Sequence, residues 1–291
     1  MTKLKYTLKT DTLFKLLFTK YQDLLMHLVA ALLGIPYDSI EQFYITNPEI
    51  SPEELDKKFC RLDINMMVNG QRVDLEIQVV DEGNYPERSL FYWAREFSTG
   101  IGEGDDYALL PPTIVISILG FNQFPDPKKF HSEFRPLEVT THELLSDKMV
   151  LHFFELLKLP SLDADMANND RDLWLQLFRA DTEEDLQKIG KMGVPVMNQA
   201  LEAYRHVAAS DEFRVLEHMR SKARHDEAQA LKNAERRGEA RGEARGEARA
   251  NEKWQGVVAD KDTLIADKDT LIADKDALIA TLLAKLGKSK M

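Results

Sequence analysis

Asp63, Glu76 and Gln78 are the residue types from which a divalent-cation site is made: two carboxylates and an amide, all carrying oxygen donors. Hard cations such as Mg²⁺ seek clustered oxygen ligands and are held more tightly as carboxylates converge. A hairpin is the element that could bring the three together. Asn69-Gly70 lies between two alternating segments, Phe59 to Val68 and Gln71 to Val79, and both turn residues tolerate the positive φ of a type I′ turn. Pairing Val68 with Gln71 sets the register, so Asp63 is expected across from Glu76 and Arg61 across from Gln78. Cys60, Leu62, Ile64, Met66, Val68, Val73, Leu75, Ile77 and Val79 then share an apolar face that requires burial. Arg61, Asp63, Asn65, Met67, Arg72, Asp74, Glu76 and Gln78 point the other way.

Directly opposed carboxylates repel, with Cβ atoms only about 4.5–5.5 Å apart. Two remedies are open: a bound metal, or a solvated face on which Arg61 and Arg72 screen the charges. Asp74 shares this face but sits one pair nearer the turn, as a supporting residue at most.

Composition bounds the wider possibilities. The chain has 291 residues, of which 44% are apolar, enough for a packed core in one large or two smaller domains. MTKLKYTLKT lacks the apolar run of a secretory signal and no stretch approaches 18 uninterrupted apolar residues, so a soluble, cytoplasmic protein without membrane association is expected. Cys60 is the single cysteine, which excludes intramolecular disulfides and multi-cysteine zinc sites; its place on the apolar face suggests a core residue. A net charge of -11 argues against a passive nucleic-acid coat, whose affinity comes from excess Lys and Arg. The sign reverses locally, because residues 220–254 carry 10 Lys and Arg against 7 Asp and Glu.

The spacing of Leu13, Phe14, Leu17, Phe18, Leu24, Leu25, Leu28, Val29 and Leu32 predicts an amphipathic helix over Thr10 to Leu33, with a break near Thr19 to Gln22 and an end at Gly34. Gln42 to Thr46 reads as a short strand. Glu87 to Ser98 reads as a helix with an apolar side of Leu90, Phe91, Ala94 and Phe97, and Thr113 to Leu119 as a strand buried on both faces. Further strands are expected near Phe134 to Thr140 and Val150 to Phe154, then helices beyond Asp170 packed as a bundle against or beside the core. His131, His142 and His152 show no metal-ligand spacing and read as surface or core residues. The order implies a sheet packed against helices, an α/β or α+β core.

The C-terminal segment is repetitive. Arg-Gly-Glu-Ala occurs three times in residues 237–248, and residues 259–279 hold three near-copies of Ala-Asp-Lys-Asp-Thr/Ala-Leu-Ile. Glycine costs a helix about 1 kcal/mol relative to alanine, and Arg237, Arg241, Arg245 and Arg249 align like charges at i, i+4. In the seven-residue repeat, placing Leu264 and Leu271 at d puts Lys261 and Lys268 at a, which weakens a coiled-coil seam. The tail is either a helix for self-association, giving a homo-oligomer, or a flexible repeat.

The order αβββαβ, with Asp63 followed by Glu76-Ile77-Gln78, resembles the PD-(D/E)xK nuclease superfamily, and within it the Rpn family of recombination-promoting nucleases and transposases of that type. The resemblance rests on Asp11-Thr-Leu-Phe-Lys-Leu-Leu-Phe18, Arg61-Leu-Asp-Ile-Asn65, Val73-Asp-Leu-Glu-Ile-Gln-Val79, Arg88 with Phe91-Tyr92-Trp93, Gly104 with Tyr107, and the strand Thr113 to Gly120. It covers about residues 6–160. It implies a PD-(D/E)xK nuclease-like α/β domain over 1–160, followed by a helical region over 161–235 and a helical or flexible tail over 236–291.

The resemblance further implies a metal-dependent DNA endonuclease in recombination or mobile-element activity. Asp63 and Glu76 would hold Mg²⁺, with Mn²⁺ or Ca²⁺ as substitutes, and the metal would activate water for phosphodiester cleavage. Gln78 would take the place where many superfamily members carry lysine; it can orient water or ligate through its oxygen but supplies no cation. Asp11 and Lys15, one helical turn apart, could support the same site, or be a helix cap and a solvated lysine. Arg88 and Tyr92, also at i, i+4, could reach phosphate, or Arg88 could neutralise Glu76 or Asp74. Two other functions remain open: a noncatalytic DNA-associated regulatory protein on the same fold, and an oligomeric interaction protein acting through its tail.

Overall fold

The computed structural model describes residues 2–47, 64–162 and 169–288, with side chains to residue 283. Expectations placed on Cys60, Arg61, Leu62 and Asp63 therefore lie outside the described residues. The chain forms two compact units, Met1–Arg224 and His225–Met291.

Asn69 and Gly70 have φ of 47° and 76°, the left-handed pair expected of the turn. They join β2 (Ile64–Val68) to β3 (Gln71–Gln78), with Val68 opposite Gln71 and Asn65 opposite Asp74. The Asn69 side chain adds a local tie: its Oδ1 accepts from the backbone N–H groups of Glu41 and Gln42, and its Nδ2 donates to the Ser39 carbonyl. These bonds deliver β1 (Phe43–Ile45) to the free edge of β2.

From β3 the chain crosses over through α3 (Tyr85–Ser98) to β4 (Thr113–Leu119), which lies parallel to it. β5 (His131–Phe134) and β6 (Met149–Glu155) complete a six-stranded mixed sheet of order β1-β2-β3-β4-β6-β5. Every residue of β4 is buried, as its mostly apolar run without alternation requires of a central strand.

The sequence pattern misplaces β5. Segment 134–140 holds only the last strand residue, an isolated bridge between Leu137 and Leu144 and irregular chain, and Val139 is exposed; the strand lies earlier, where His131 pairs with Phe154 and Glu133 with His152. That pairing also brings together histidines that look scattered along the chain: His131 Nε2 and His152 Nδ1 are 3.0 Å apart.

One face of the sheet is covered by helices. The N-terminal helix is broken as its pattern suggests, into α1 (Asp11–Lys20) and α2 (Gln22–Leu33), whose axes turn through 108°. They pack with α4 (Asp170–Arg179), α5 (Glu183–Lys191) and α6 (Pro195–Ala209) over Ile64, Met66, Val73, Leu75, Ile116 and Phe154. Phe14, Phe18, Trp174 and Phe178 cluster at the centre, with ring centroids 5.4–6.1 Å apart in edge-on, tilted and stacked pairs. Such geometry adds roughly 0.5–1.5 kcal/mol per pair beyond area burial.

The other face is covered by α3, which buries a different side from the one its hydrophobic spacing suggests. Tyr85, Ser89 and Tyr92 point inward, whereas Leu90 and Phe91 are exposed. The reason is the sheet surface beneath: β3 presents Asp74, Glu76 and Gln78 there, and hydroxyl-bearing side chains can meet those polar groups where leucine cannot. That face is consequently not solvated, since Asp74 and Glu76 are 4% and 6% exposed.

The last helix, α7, runs from Asp211 to Lys288, so the repeats are helical. Gly238, Gly242 and Gly246 have open space where a Cβ would stand, and no packing demand explains them. Among the described residues no single helix is long and apolar enough to cross a membrane.

Candidate functional site

Glu76 lies on β3 opposite Ser117 of parallel β4. The first turn of α3 sits above the pair, and the Tyr85 hydroxyl is 3.0 Å from both Glu76 Oε2 and Ser117 Oγ. One phenol proton cannot serve two acceptors. Tyr85 donates to the carboxylate, and Ser117 donates to the phenol oxygen. Burial and the Glu76 charge raise the Tyr85 pKa well above its ordinary value, so the phenol remains a proton donor across the physiological range.

Arg88, one turn further along α3, approaches the same carboxylate. Its Nη2 donates to Glu76 Oε1 at 3.3 Å and to Gln78 Oε1, while Nη1 donates to Glu82 Oε2 at 2.7 Å. The guanidinium carbon lies 4.9 Å from the Tyr85 ring centroid and 5.9 Å from that of Tyr92, within cation–π range. Gln78 holds its amide orientation by donating from Nε2 to the Val80 carbonyl at 2.8 Å. Its Oε1 is thereby turned towards Arg88.

This arrangement bears on whether these residues suit a metal. Side-chain oxygens of Glu76 and Gln78 converge on one cationic nitrogen, so these donors are already organised around positive charge. A carboxylate and an amide oxygen are the hard donors that Mg²⁺, Mn²⁺ and Ca²⁺ accept, and the two residues fit such an ion. Asp63 would be the next donor by register; it lies outside the described residues.

The supporting candidates are differently placed. Asp11 forms ion pairs with Arg220 and Arg224 at 3.1 Å each, and Arg224 also bonds Glu217 at 2.5 Å. Asp11 therefore ties α1 to the start of α7, and its Oδ1 also accepts from the Thr12 N–H at 2.9 Å in the first turn of its own helix, where the N-cap residue Thr10 makes no side-chain bond. Lys15 is not solvated: it is 2% exposed, and its Nζ donates to the Asn47 carbonyl at 2.5 Å. Asn47 in turn accepts from the Asn65 N–H at 2.7 Å, which places the Lys15 ammonium beside the outer strands. Tyr92 is buried against the sheet at 7% exposure.

Two partners of Glu76 escape the sequence reading. Ser117 is legible as the one serine within Thr-Ile-Val-Ile-Ser-Ile-Leu, a polar group mid-strand in a strand buried on both faces that must find a partner. Tyr85 lies ahead of the expected helix start, and only the crossover brings it over β3.

A family model described as PD-(D/E)XK nuclease family transposase matches residues 8–234. The chain belongs to that family. Its function is accordingly of the nuclease type. No curated protein and no solved structure matches the chain. The match extends past the sheet through α4, α5 and α6, so the family unit includes the helices that cover the face opposite Glu76.

Proposed function

We propose that this protein is a metal-dependent DNA endonuclease in which Asp63 and Glu76 hold the ion, Gln78 assists through its amide oxygen, and Arg88 binds the DNA phosphate; Tyr92, buried against the sheet, supports the Arg88 guanidinium through its ring instead of reaching phosphate itself. The observation that carries the reading is the convergence of Glu76 and Gln78 oxygens on a cationic nitrogen of α3. Mg²⁺, or Mn²⁺ or Ca²⁺ in its place, would supply Lewis-acid stabilisation of phosphate charge and a water of lowered pKa.

The chain's own residues do the remaining work. Tyr85 and Ser117 hold the Glu76 carboxylate in one rotamer, with Oε2 engaged and Oε1 directed at the Arg88 side. Gln78 contributes a dipole and no net charge, so the cationic contribution that a lysine would make there falls to the metal and to Arg88. Arg88 donates to Glu76 Oε1, one of the oxygens that would hold the ion, and its planar guanidinium is a group suited to bidentate binding of phosphate. Exposed Glu82 provides it with an alternative anchor.

DNA recombination or mobile-element processing is the process in which we place this cleavage, in keeping with the family description. We also propose that the tail assembles the protein into homo-oligomers. Leu264, Ile265, Leu271, Ile272, Leu278 and Ile279 repeat every seven residues along α7, each more than half exposed, and burial of that stripe would be favourable at about 25 cal/mol per Å².

Plasmid nicking with Mg²⁺, Mn²⁺ or Ca²⁺ tests the activity. Wild type should cleave, whereas Asp63→Ala and Glu76→Ala should not; equal cleavage by all three proteins overturns the site. Sedimentation of the full chain against a variant ending at residue 236 tests assembly, and an unchanged mass overturns the role of the tail.

A further inference from the structure

A second cluster of donor side chains lies on the opposite face of the sheet, two strands from Glu76. His131 and Glu133 stand at i and i+2 on edge strand β5, and His152 is directly across from Glu133 on β6. Alternation places all three on the face shared by Val150 and Phe154, which belongs to the helix-covered core. His131 Nε2 and His152 Nδ1 are 3.0 Å apart, and one donor atom from each of the three residues falls within 4.8 Å of the others.

We propose that His131, Glu133 and His152 form a transition-metal site for a borderline divalent cation of the Zn²⁺ type, separate from the oxygen-donor site at Glu76. Two imidazoles and one carboxylate are the donor set that such ions select, whereas Mg²⁺ and Ca²⁺ prefer oxygen alone. At metal–nitrogen distances of about 2.0–2.1 Å, nitrogens 3.0 Å apart subtend roughly 95° at the ion. An opening of a few tenths of an ångström reaches the tetrahedral angle, a motion available to side chains on an edge strand.

The rings are prepared for ligation. His131 stacks on Phe154 with ring centroids 4.3 Å apart and planes within 10°, which limits its rotation. His152 is 7% exposed, and burial pushes its imidazole down to about 4, so it is neutral with a lone pair to offer near pH 7. The present His–His hydrogen bond needs one N–H and one lone pair; a tautomeric shift of that single proton to the far ring nitrogen gives two lone pairs to a metal. Arg135 holds Glu133 Oε1 at 2.6 Å, orienting the carboxylate while its second oxygen serves as ligand, in the manner of outer-shell partners. Arg171 and Lys129 bring positive charge near His131. They oppose a cation, and the neutral nitrogens and the Glu133 charge must outweigh them.

The site would clip edge strand β5 to its neighbour β6, reinforcing the backbone pairing that already joins them. His131 and Glu133 are the solvent-facing members of the set, so fourth and further positions on the ion are open to water.

The test uses the untagged full-length chain carrying Glu76→Gln, stripped with chelator and titrated with Co²⁺ and with Zn²⁺. We expect one Co²⁺ per chain with a visible ligand-field absorption, undiminished by millimolar Mg²⁺. His131→Gln should abolish the band, Glu133→Gln should weaken binding at least about tenfold, and Zn²⁺ should raise the Tm of the parent but not of the His131→Gln protein. Both substitutions lie on an accessible edge strand, and circular dichroism confirms that each variant is folded. Absence of Co²⁺ binding, or binding unchanged by both substitutions, overturns the proposal. Neither result depends on DNA cleavage, so the site stands or falls apart from the nuclease reading.

Discussion

The two faces of the sheet solve different problems with the same strand. On β3, Val73 and Leu75 enter a dry core beneath α1, α2 and α4, while Asp74, Glu76 and Gln78 alternate to the side covered by α3. The helix-bundle side is lined by aromatic and aliphatic groups whose contribution is area removed from water. The α3 side buries a carboxylate, a guanidinium, a phenol and a hydroxyl, each tied to another by hydrogen bonds. A buried ion pair is a poor source of stability because desolvation offsets most of its attraction. Its retention beneath α3 makes sense where the charges are needed for chemistry, and the large apolar face provides the stability that this side forgoes.

That contrast predicts a crossed pattern of mutant effects. Glu76→Gln should lower plasmid cleavage by about a thousandfold, the scale of losing a principal electrostatic group, while its amide still accepts from Tyr85 and denaturant unfolding shifts by less than about 1 kcal/mol. Phe18→Ala, on the bundle side, should cost about 3–5 kcal/mol in urea unfolding. A comparable loss of stability in both proteins would erase the distinction between the faces.

His152 is a buried polar group of the sheet on the bundle side. Its folded pKa is near 4 against an ordinary 6.5, so the unfolded chain binds more protons between those values. In chelator-treated protein, its contribution is full above pH 6.5 and is lost as pH falls towards 4, up to about 3 kcal/mol. His131, Glu133 and Arg135 are the titratable or charged groups that act on it. His152→Asn should flatten the stability curve across that window; an unaltered slope would assign the acid sensitivity elsewhere.

Arg88→Met sharpens the α3 side. Removing the guanidinium from Glu76 and Gln78 should tighten Mn²⁺ binding, measured calorimetrically, by roughly tenfold or more, the scale of about 1.5–3 kcal/mol for a hydrogen bond to a charged group. DNA binding should weaken in the same variant. Tighter DNA binding, or metal affinity that falls, would show that Arg88 organises the carboxylate instead of competing for it. The smallest expected change is in Tyr85→Phe, which leaves Glu76 and Ser117 without their bridging hydroxyl: about 1–2 kcal/mol of stability and a several-fold drop in nicking rate, read in parallel assays.

Much of this arrangement is legible in the sequence. Asn69-Gly70 and the alternation around it settle the β2–β3 register by local physics, because a two-residue turn leaves no latitude and a one-residue slip would bury the charges in the bundle. Mostly apolar β4 and the bend between α1 and α2 follow from equally short-range signals. The inward side of α3 did not, since Leu90 and Phe91 outscore Ser89 and Tyr92 on any hydrophobic pattern. Only the sheet beneath determines that hydroxyls are wanted there.

The sequence by itself determined which residues share a strand face, and so which carboxylate and amide stand together on β3. Tertiary structure decided what those groups meet. Tyr85 and Arg88 reach Glu76 through the β3–β4 crossover, Asp11 finds Arg220 and Arg224 more than two hundred residues later in the chain, and His131 meets His152 through a pairing whose strand boundaries the pattern misses. Periodicity reports how a segment divides between two sides, whereas the chemistry of a buried polar group depends on partners contributed from elsewhere in the fold.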